Sequence, residues 1–234
     1  MKYGIIGALD EEIEYFKEAV SNYKEERQAA ITFYSGEWYG HSIVFCKCGV
    51  GKVNAALTTQ LLIDRYDVQS IIFTGVAGAL DDSLNVGDVV ISSECQEHDM
   101  DATAYGFERG IIPMYDGPSI FPAAKKLIKA AQKAAGSVEE FQGKVVIGKI
   151  ISGDKFVADK AEVEELRQLF QASCVEMEGA AVAHVANVND IPYLVIRSIS
   201  DKANGQAADS FDNYVKYAAK ISADIVEKLL KNTQ

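Results

Sequence analysis

Four short segments concentrate the side chains able to do chemistry: Gly7-Ala8-Leu9-Asp10-Glu11-Glu12, Thr74-Gly75-Val76-Ala77-Gly78, Val175-Glu176-Met177-Glu178-Gly179 and Arg197-Ser198-Ile199-Ser200-Asp201. Each stands where a short apolar run ends, and three of the four deliver carboxylates. Carboxylates brought together from separate strand ends suit acid–base work, one accepting a proton while another donates one. Asp10, Glu11 and Glu12 open a segment that carries Ile13, Phe16 and Val20 at helical spacing. Acids in a first turn are favoured by the helix dipole, and spacing does not choose which one turns back toward the sheet. Glu176 and Glu178 share a side of an extended chain, where like charges repel, but they diverge if a helix begins at Met177. A carboxylate among such apolar neighbours suits a diol, whose two hydroxyls can donate to its oxygens. Asp201 ends an apolar run and reads either as a turn cap or as a buried acid oriented by Ser200.

Two glycine-rich stretches invite a phosphate-binding reading and fail it. Gly49-Val50-Gly51-Lys52 resembles the end of a P-loop, but Cys46 stands where the first glycine belongs and Val53 replaces the magnesium-binding hydroxyl. Gly75-Val76-Ala77-Gly78 lacks the spacing of a dinucleotide fingerprint. Its glycines fit either a tight strand-to-loop turn or close approach of a ligand to the backbone. His98, Asp99 and Asp101 imitate a metal cluster without a further ligand at recognisable spacing, so no metal and no cofactor are expected.

The elements that must hold these groups alternate along the chain. Tyr3–Gly7, Ser42–Cys46, Ser70–Thr74, Asp88–Ser92, Lys144–Ile151 and Tyr193–Ile199 read as strands, several apolar on both faces as in a sheet covered on each side. Thr32–Trp38 and His41–Phe45 flank a Tyr39-Gly40 turn and predict an antiparallel hairpin. Helical stripes run over Val53–Ile63, over Met177–Val188, from Pro122 through Leu127 and Ala131, and through Tyr214, Ala218, Ile221, Ile225 and Leu229. The alternation predicts one α/β domain over residues 1–234 with a mixed, mostly parallel sheet. In such sheets ligands gather at the carboxyl ends of strands, where the four segments lie.

The 234 residues include 23 Lys and Arg against 34 Asp and Glu, a net charge of −11. That excess repels phosphate backbones and anionic membrane surfaces, which argues against nucleic acid or membrane as partner. Four scattered cysteines make no disulfide framework, and the N-terminus lacks the apolar region of a signal peptide, so a cytoplasmic location is expected.

Read together and in order, GIIGALDEE, GVGKVNAA, TGVAGAL, NVGDVV, HDMDATAYG, ISGDKF, VEMEGAAVAHV and RSISDKANG resemble the nucleoside phosphorylase/nucleosidase superfamily over essentially the whole chain. The resemblance implies a three-layer α/β/α sandwich around a mixed, partly barrel-like sheet. Phosphorylases of that family hold phosphate in a Gly-Asp-Pro-x-Arg type loop after the first strand. Here the loop reads Ala8-Leu9-Asp10-Glu11-Glu12, which repels phosphate and can deprotonate water.

The implied activity is therefore hydrolysis of the N-glycosidic bond in 5′-methylthioadenosine and S-adenosylhomocysteine, and also in 5′-deoxyadenosine. By resemblance, Glu12 activates water, with Arg197 holding that region together, and Asp201 protonates N7 of adenine. Met177 and Glu178 meet the ribose, Phe156 and the backbone of Val157 meet adenine, and Gly78 lies where the family loop meets the ligand. Leu9 and Val50 line the alkylthio side, Phe211 acts as a lid, and Ile112-Pro113 reaches the partner's site in a homodimer. Val76 departs from the serine often found there and removes a hydroxyl that could touch water or ribose. The alternatives are a phosphate-dependent purine nucleoside phosphorylase, a sister hydrolase acting on futalosine, and a non-catalytic nucleoside-binding module.

Overall fold

The computed structural model describes residues 1–139, 141–202 and 207–233, with the side chains of residues 207–213 outside the described set. Ten strands form one sheet: β1 (Lys2–Gly7), β2 (Lys24–Gln28), β3 (Ile31–Trp38), β4 (His41–Lys47), β5 (Ser70–Ala79), β6 (Val89–Glu97), β7 (Ile120–Pro122), β8 (Val145–Ser152), β9 (Cys174–Glu176) and β10 (Tyr193–Asp201). Among the described residues, six α-helices accompany them: α1 (Asp10–Ala19), α2 (Lys52–Tyr66), α3 (Lys125–Ala135), α4 (Lys160–Phe170), α5 (Gly179–Val188) and α6 (Ala207–Asn232).

The middle of the sheet is parallel. β1 pairs with β4 on one side and β5 on the other, and β5 pairs in turn with β10. Beyond that point the sheet closes on itself. β10 runs antiparallel to β6, β6 pairs with β8, β8 with β9, and β9 returns antiparallel to β5 at Gly78 and Ala79. Five strands thus make a ring, the barrel-like part of the mixed sheet, while β4, β3 and β2 continue outward as an open antiparallel flank. Burial explains the choice of strand. Ile71, Ile72 and Phe73 of β5, and Leu194, Val195 and Ile196 of β10, are wholly buried, so β-branched and aromatic side chains pack on both faces. α6 lies against α1, α3, β5 and β10 on one side, and α2 lies on α5, which crosses β6, β8 and β10, on the other. These are the three layers.

Several local expectations are corrected. Gly75 and Gly78 belong to no turn: β5 continues straight through them to Ala79. Pro122 does not open a helix but ends β7, an edge strand where its missing N–H costs no ladder bond, and α3 begins at Lys125. α5 begins at Gly179, with Glu178 as the residue before its first turn, rather than at Met177. β2, whose KEERQ sequence carries no apolar alternation, and α4 are additional elements. α4 is capped by Asp159, whose carboxylate accepts from the N–H groups of Ala161 and Glu162 at 3.0 Å each. It buries Leu166 and Phe170 against Ile151, Val157 and Val175 at the end of the ring.

Candidate active site

A cavity of about 280 Å³ opens where β5 and β10 end, between the turn leading into α1, the loop after β8 and the turn from β9 into α5. Its wall includes Leu9, Glu12, Val50, Gly78, Phe156, Val157, Met177, Glu178 and Asp201, together with Ala8, Val76, Ala77, Lys155 and Glu176. Nine of the eleven residues to which the resemblance gives a role in the chain's own site therefore meet in one place.

Glu12 sits in the first turn of α1 and folds back over the loop after β1. One carboxylate oxygen accepts from the N–H of Ala8 at 2.5 Å and of Leu9 at 3.0 Å; the other accepts from Val76 N–H at 3.1 Å. The Leu9 contact is the backward reach that an acid at the third helical position makes in a capping box. Only 3% of Glu12 is exposed. Burial raises its pKa, and the nearby Arg197 charge and the three backbone donors offset this only in part. Gly75 is what makes room for it. A Cβ at that position would collide with the Glu12 carboxylate and stand 2.9 Å from an Arg197 guanidinium nitrogen.

Arg197 is 1% exposed and does not line the cavity. It lies behind the wall with its guanidinium over the Phe73 ring, 3.9 Å from the centroid. Its Nη2 and Nε donate to one oxygen of Glu176 at 2.5 and 3.2 Å. Glu176 also accepts from the Ser152 hydroxyl and from the N–H of Gly179 at 2.8 and 3.0 Å, so a buried ion pair pins the β9–α5 turn. Sequence reasoning noticed Glu176 as a neighbour of Glu178 but gave it no role; Ser152 carried no signal, because the contact joins residues 24 positions apart.

Glu178 emerges from that turn into the cavity and accepts from Gly51 N–H at 2.8 Å. Burial, with the adjacent Glu176 charge, pushes its pKa up to about 8. The sign of the consequence is fixed: the native state holds a proton on Glu178 where the unfolded chain has lost it, so stability falls as pH rises from about 4.5 to about 8. Glu178→Gln is expected to flatten this decline, and melting temperatures of both proteins at pH 5, 6.5 and 8 measure it. Parallel curves would refute the raised value.

Asp201, 2% exposed, ends β10 beside Gly78, and the Ser200 hydroxyl donates to its Oδ2 at 2.9 Å. Phe156 is 46% exposed at the cavity mouth, whereas Val157 beneath it is buried. Val76 lies in a small apolar cluster with Val215, Ala218 and Ala219 of α6, so the residue in place of a hydroxyl is held by packing. Ile112 and Pro113 are half-buried and do not line this cavity. The side chain of Phe211 lies outside the described residues.

Residues 2–232 match the family model described as the phosphorylase superfamily. The chain belongs to that superfamily. Among its members, a 5′-methylthioadenosine/S-adenosylhomocysteine nucleosidase of Psychromonas ingrahamii is 44% identical over 234 residues, 99% of each chain. Among solved superfamily structures, the 5′-methylthioadenosine/S-adenosylhomocysteine nucleosidase of Neisseria meningitidis in complex with methylthio-immucillin-A superimposes with a TM-score of 0.94 at 39% identity, over 99% of each chain. A futalosine hydrolase of Helicobacter pylori superimposes with a TM-score of 0.93 at 33% identity, covering 99% of this chain and 98% of that one.

Proposed function

We propose that this superfamily member is an N-glycosyl hydrolase that cleaves 5′-methylthioadenosine and S-adenosylhomocysteine to adenine and the corresponding thioribose. One observation carries the reading: three carboxylates from three separate elements, Glu12, Glu178 and Asp201, line a single cavity, and the one basic side chain among its described lining residues, Lys155, is paired with Glu162. Such a wall offers a phosphate dianion no unpaired cation among its described lining residues and accepts a neutral nucleoside with water as nucleophile. The names of the similar proteins support the choice of substrate.

Breaking the bond places positive charge on the ribose and negative charge on adenine. Asp201, held by Ser200, delivers a proton to N7 so that adenine leaves neutral. Glu12, made more basic by burial, takes the proton of the attacking water. Glu178, which keeps its proton up to about pH 8, hydrogen-bonds the ribose hydroxyls through its carboxyl group, and Met177 covers the sugar. Phe156 stacks on the adenine ring, the backbone of Val157 meets its edge, and Gly78 lets the β5 backbone approach the ligand. Leu9 and Val50 line the side of the alkylthio group. Arg197 acts through Glu176 and Glu12 without touching substrate.

The unit is a single domain over residues 1–234, which the match to residues 2–232 supports. It works as a homodimer in the cytoplasm, with Ile112-Pro113 contributed to the partner's site. Four free, buried cysteines suit a reducing compartment, and no helix among the described residues is long and apolar enough to cross a membrane.

The test is adenine release from each thioether, with and without inorganic phosphate. Release at the same rate in both conditions is expected; strict phosphate dependence, with ribose-1-phosphate as product, would overturn the reading. The structural likeness to futalosine hydrolase favours one second substrate, so futalosine belongs in the same assay. Cleavage of futalosine alone would move the specificity while leaving the chemistry in place.

A further inference from the structure

Just outside the cavity, three segments far apart in sequence close on one another. The Lys52 ammonium, at the start of α2, lies 2.5 Å from one oxygen of Asp99 and 3.6 Å from Glu97. The other Asp99 oxygen accepts from Asp154 N–H at 2.9 Å, and the Asp154 carboxylate accepts from Lys52 N–H at 2.8 Å. The three contacts form a closed circuit joining the end of β6 to the loops after β4 and β8. The Lys52 and Asp99 side chains are 18% and 28% exposed, so the ion pair is shielded more than an ordinary surface pair. Burial alone would lower the pKa of Lys52, but Asp99 and Glu97 raise it, and the same ammonium holds Asp99 below its usual range against the opposing effect of its own burial.

Each end of this circuit adjoins a wall of the cavity. Gly51, the residue before Lys52, is the donor to Glu178, and Val50 lines the same wall. Lys155, Phe156 and Val157 directly follow Asp154 and line another part of the cavity wall. Gly51 adopts a φ of +97°, and a Cβ there would stand 3.1 Å from Asp154 Oδ1, so the two loops meet at a position that favours glycine.

We propose that Lys52, Asp99 and Asp154 act as a clasp that positions the Glu178 wall and the Phe156 wall relative to each other, and so sets how tightly the nucleoside is held. The proposal rests on the function assigned above to those two walls. The clasp makes no contact with the reacting atoms. Its loss removes binding shared by substrate and transition state, and that raises KM rather than lowering kcat.

The experiment compares kcat and KM for 5′-methylthioadenosine in wild type, Lys52→Met, Asp99→Asn, the double variant and Lys52→Arg. Either single variant is expected to raise KM about tenfold with kcat within about twofold, as loss of uniform binding requires. The double variant should rise no further than the singles, because the two residues share one interaction. Lys52→Arg, which keeps the charge on Asp99, should restore KM to within about threefold of wild type, a residue of the difference in side-chain geometry. Unchanged KM in both single variants, a fall in kcat at constant KM, or fully additive effects would overturn the clasp. If Lys52→Met does not fold, Asp99→Asn carries the same expectation with an isosteric change. Wild-type turnover tests the assigned reaction separately: normal adenine release with KM-neutral variants removes the clasp alone, whereas absence of release from either thioether removes the assigned function.

Discussion

Asp201→Asn is expected to lower kcat by about 10²–10⁴, the usual worth of a positioned proton donor, while nucleoside affinity stays near that of wild type. The amide matches the carboxyl in shape and can still donate a hydrogen bond toward the purine, so the pocket keeps its form. It has no acidic proton to transfer, and adenine must then leave as an anion. Ser200 continues to hold the side chain through its hydroxyl, which separates loss of chemistry from loss of position. Adenine release measured by absorbance gives the rate, and calorimetric titration of 5′-methylthioadenosine gives the affinity. Turnover equal to wild type would take the acid role away from Asp201.

Glu12→Gln should cost about as much in kcat, again about 10²–10⁴, because the base that takes a proton from water is lost. Here stability should fall as well. The native carboxylate accepts from Ala8, Leu9 and Val76, whereas an amide offers one acceptor oxygen and an NH₂ group that faces at least one of those donors. A buried donor left without a partner costs about 1–3 kcal/mol. The two effects are separable. A lowered melting temperature with full turnover would leave Glu12 as a structural cap for α1 and assign water activation to another group. In wild type, the upward pKa shift of Glu12 places the acidic loss of activity above the ordinary glutamate range.

Legibility in the sequence followed the range over which each signal acts. The segments that carry Glu12, Glu178 and Asp201 could be found because each adjoins a short apolar run or a small-residue helix, and strand ends are where α/β sheets present ligands, but the choice of Glu12 over Asp10 and Glu11 came from resemblance alone. The same reasoning explains why the helical stripes of α3 and α6 were visible. β2 was hidden because an exposed edge strand carries no apolar alternation. Gly75 could be narrowed only to a turn or a close backbone approach. Its actual use, space for a carboxylate from α1 and a guanidinium from β10, joins three elements and leaves no local trace. Arg197 shows the same limit. Resemblance tied it to the Glu12 region, but its burial behind the wall on Glu176 depends on how β9 meets β10, which no spacing along the chain encodes.

The closed ring of five strands also bears on how the protein is made. β5 is synthesised early, yet two of its partners, β9 and β10, come nearly a hundred or more residues later. A growing chain on the ribosome therefore carries an apolar strand with an unsatisfied backbone edge until the last quarter of the sequence emerges, a state open to wrong pairing with other chains. Glu12 waits as long, since its counterpart Asp201 is the last residue of the final strand. Catalytic competence is thus one of the final events of biogenesis, and premature termination anywhere before β10 yields a chain without a site and with an exposed edge, a substrate for chaperones and proteases.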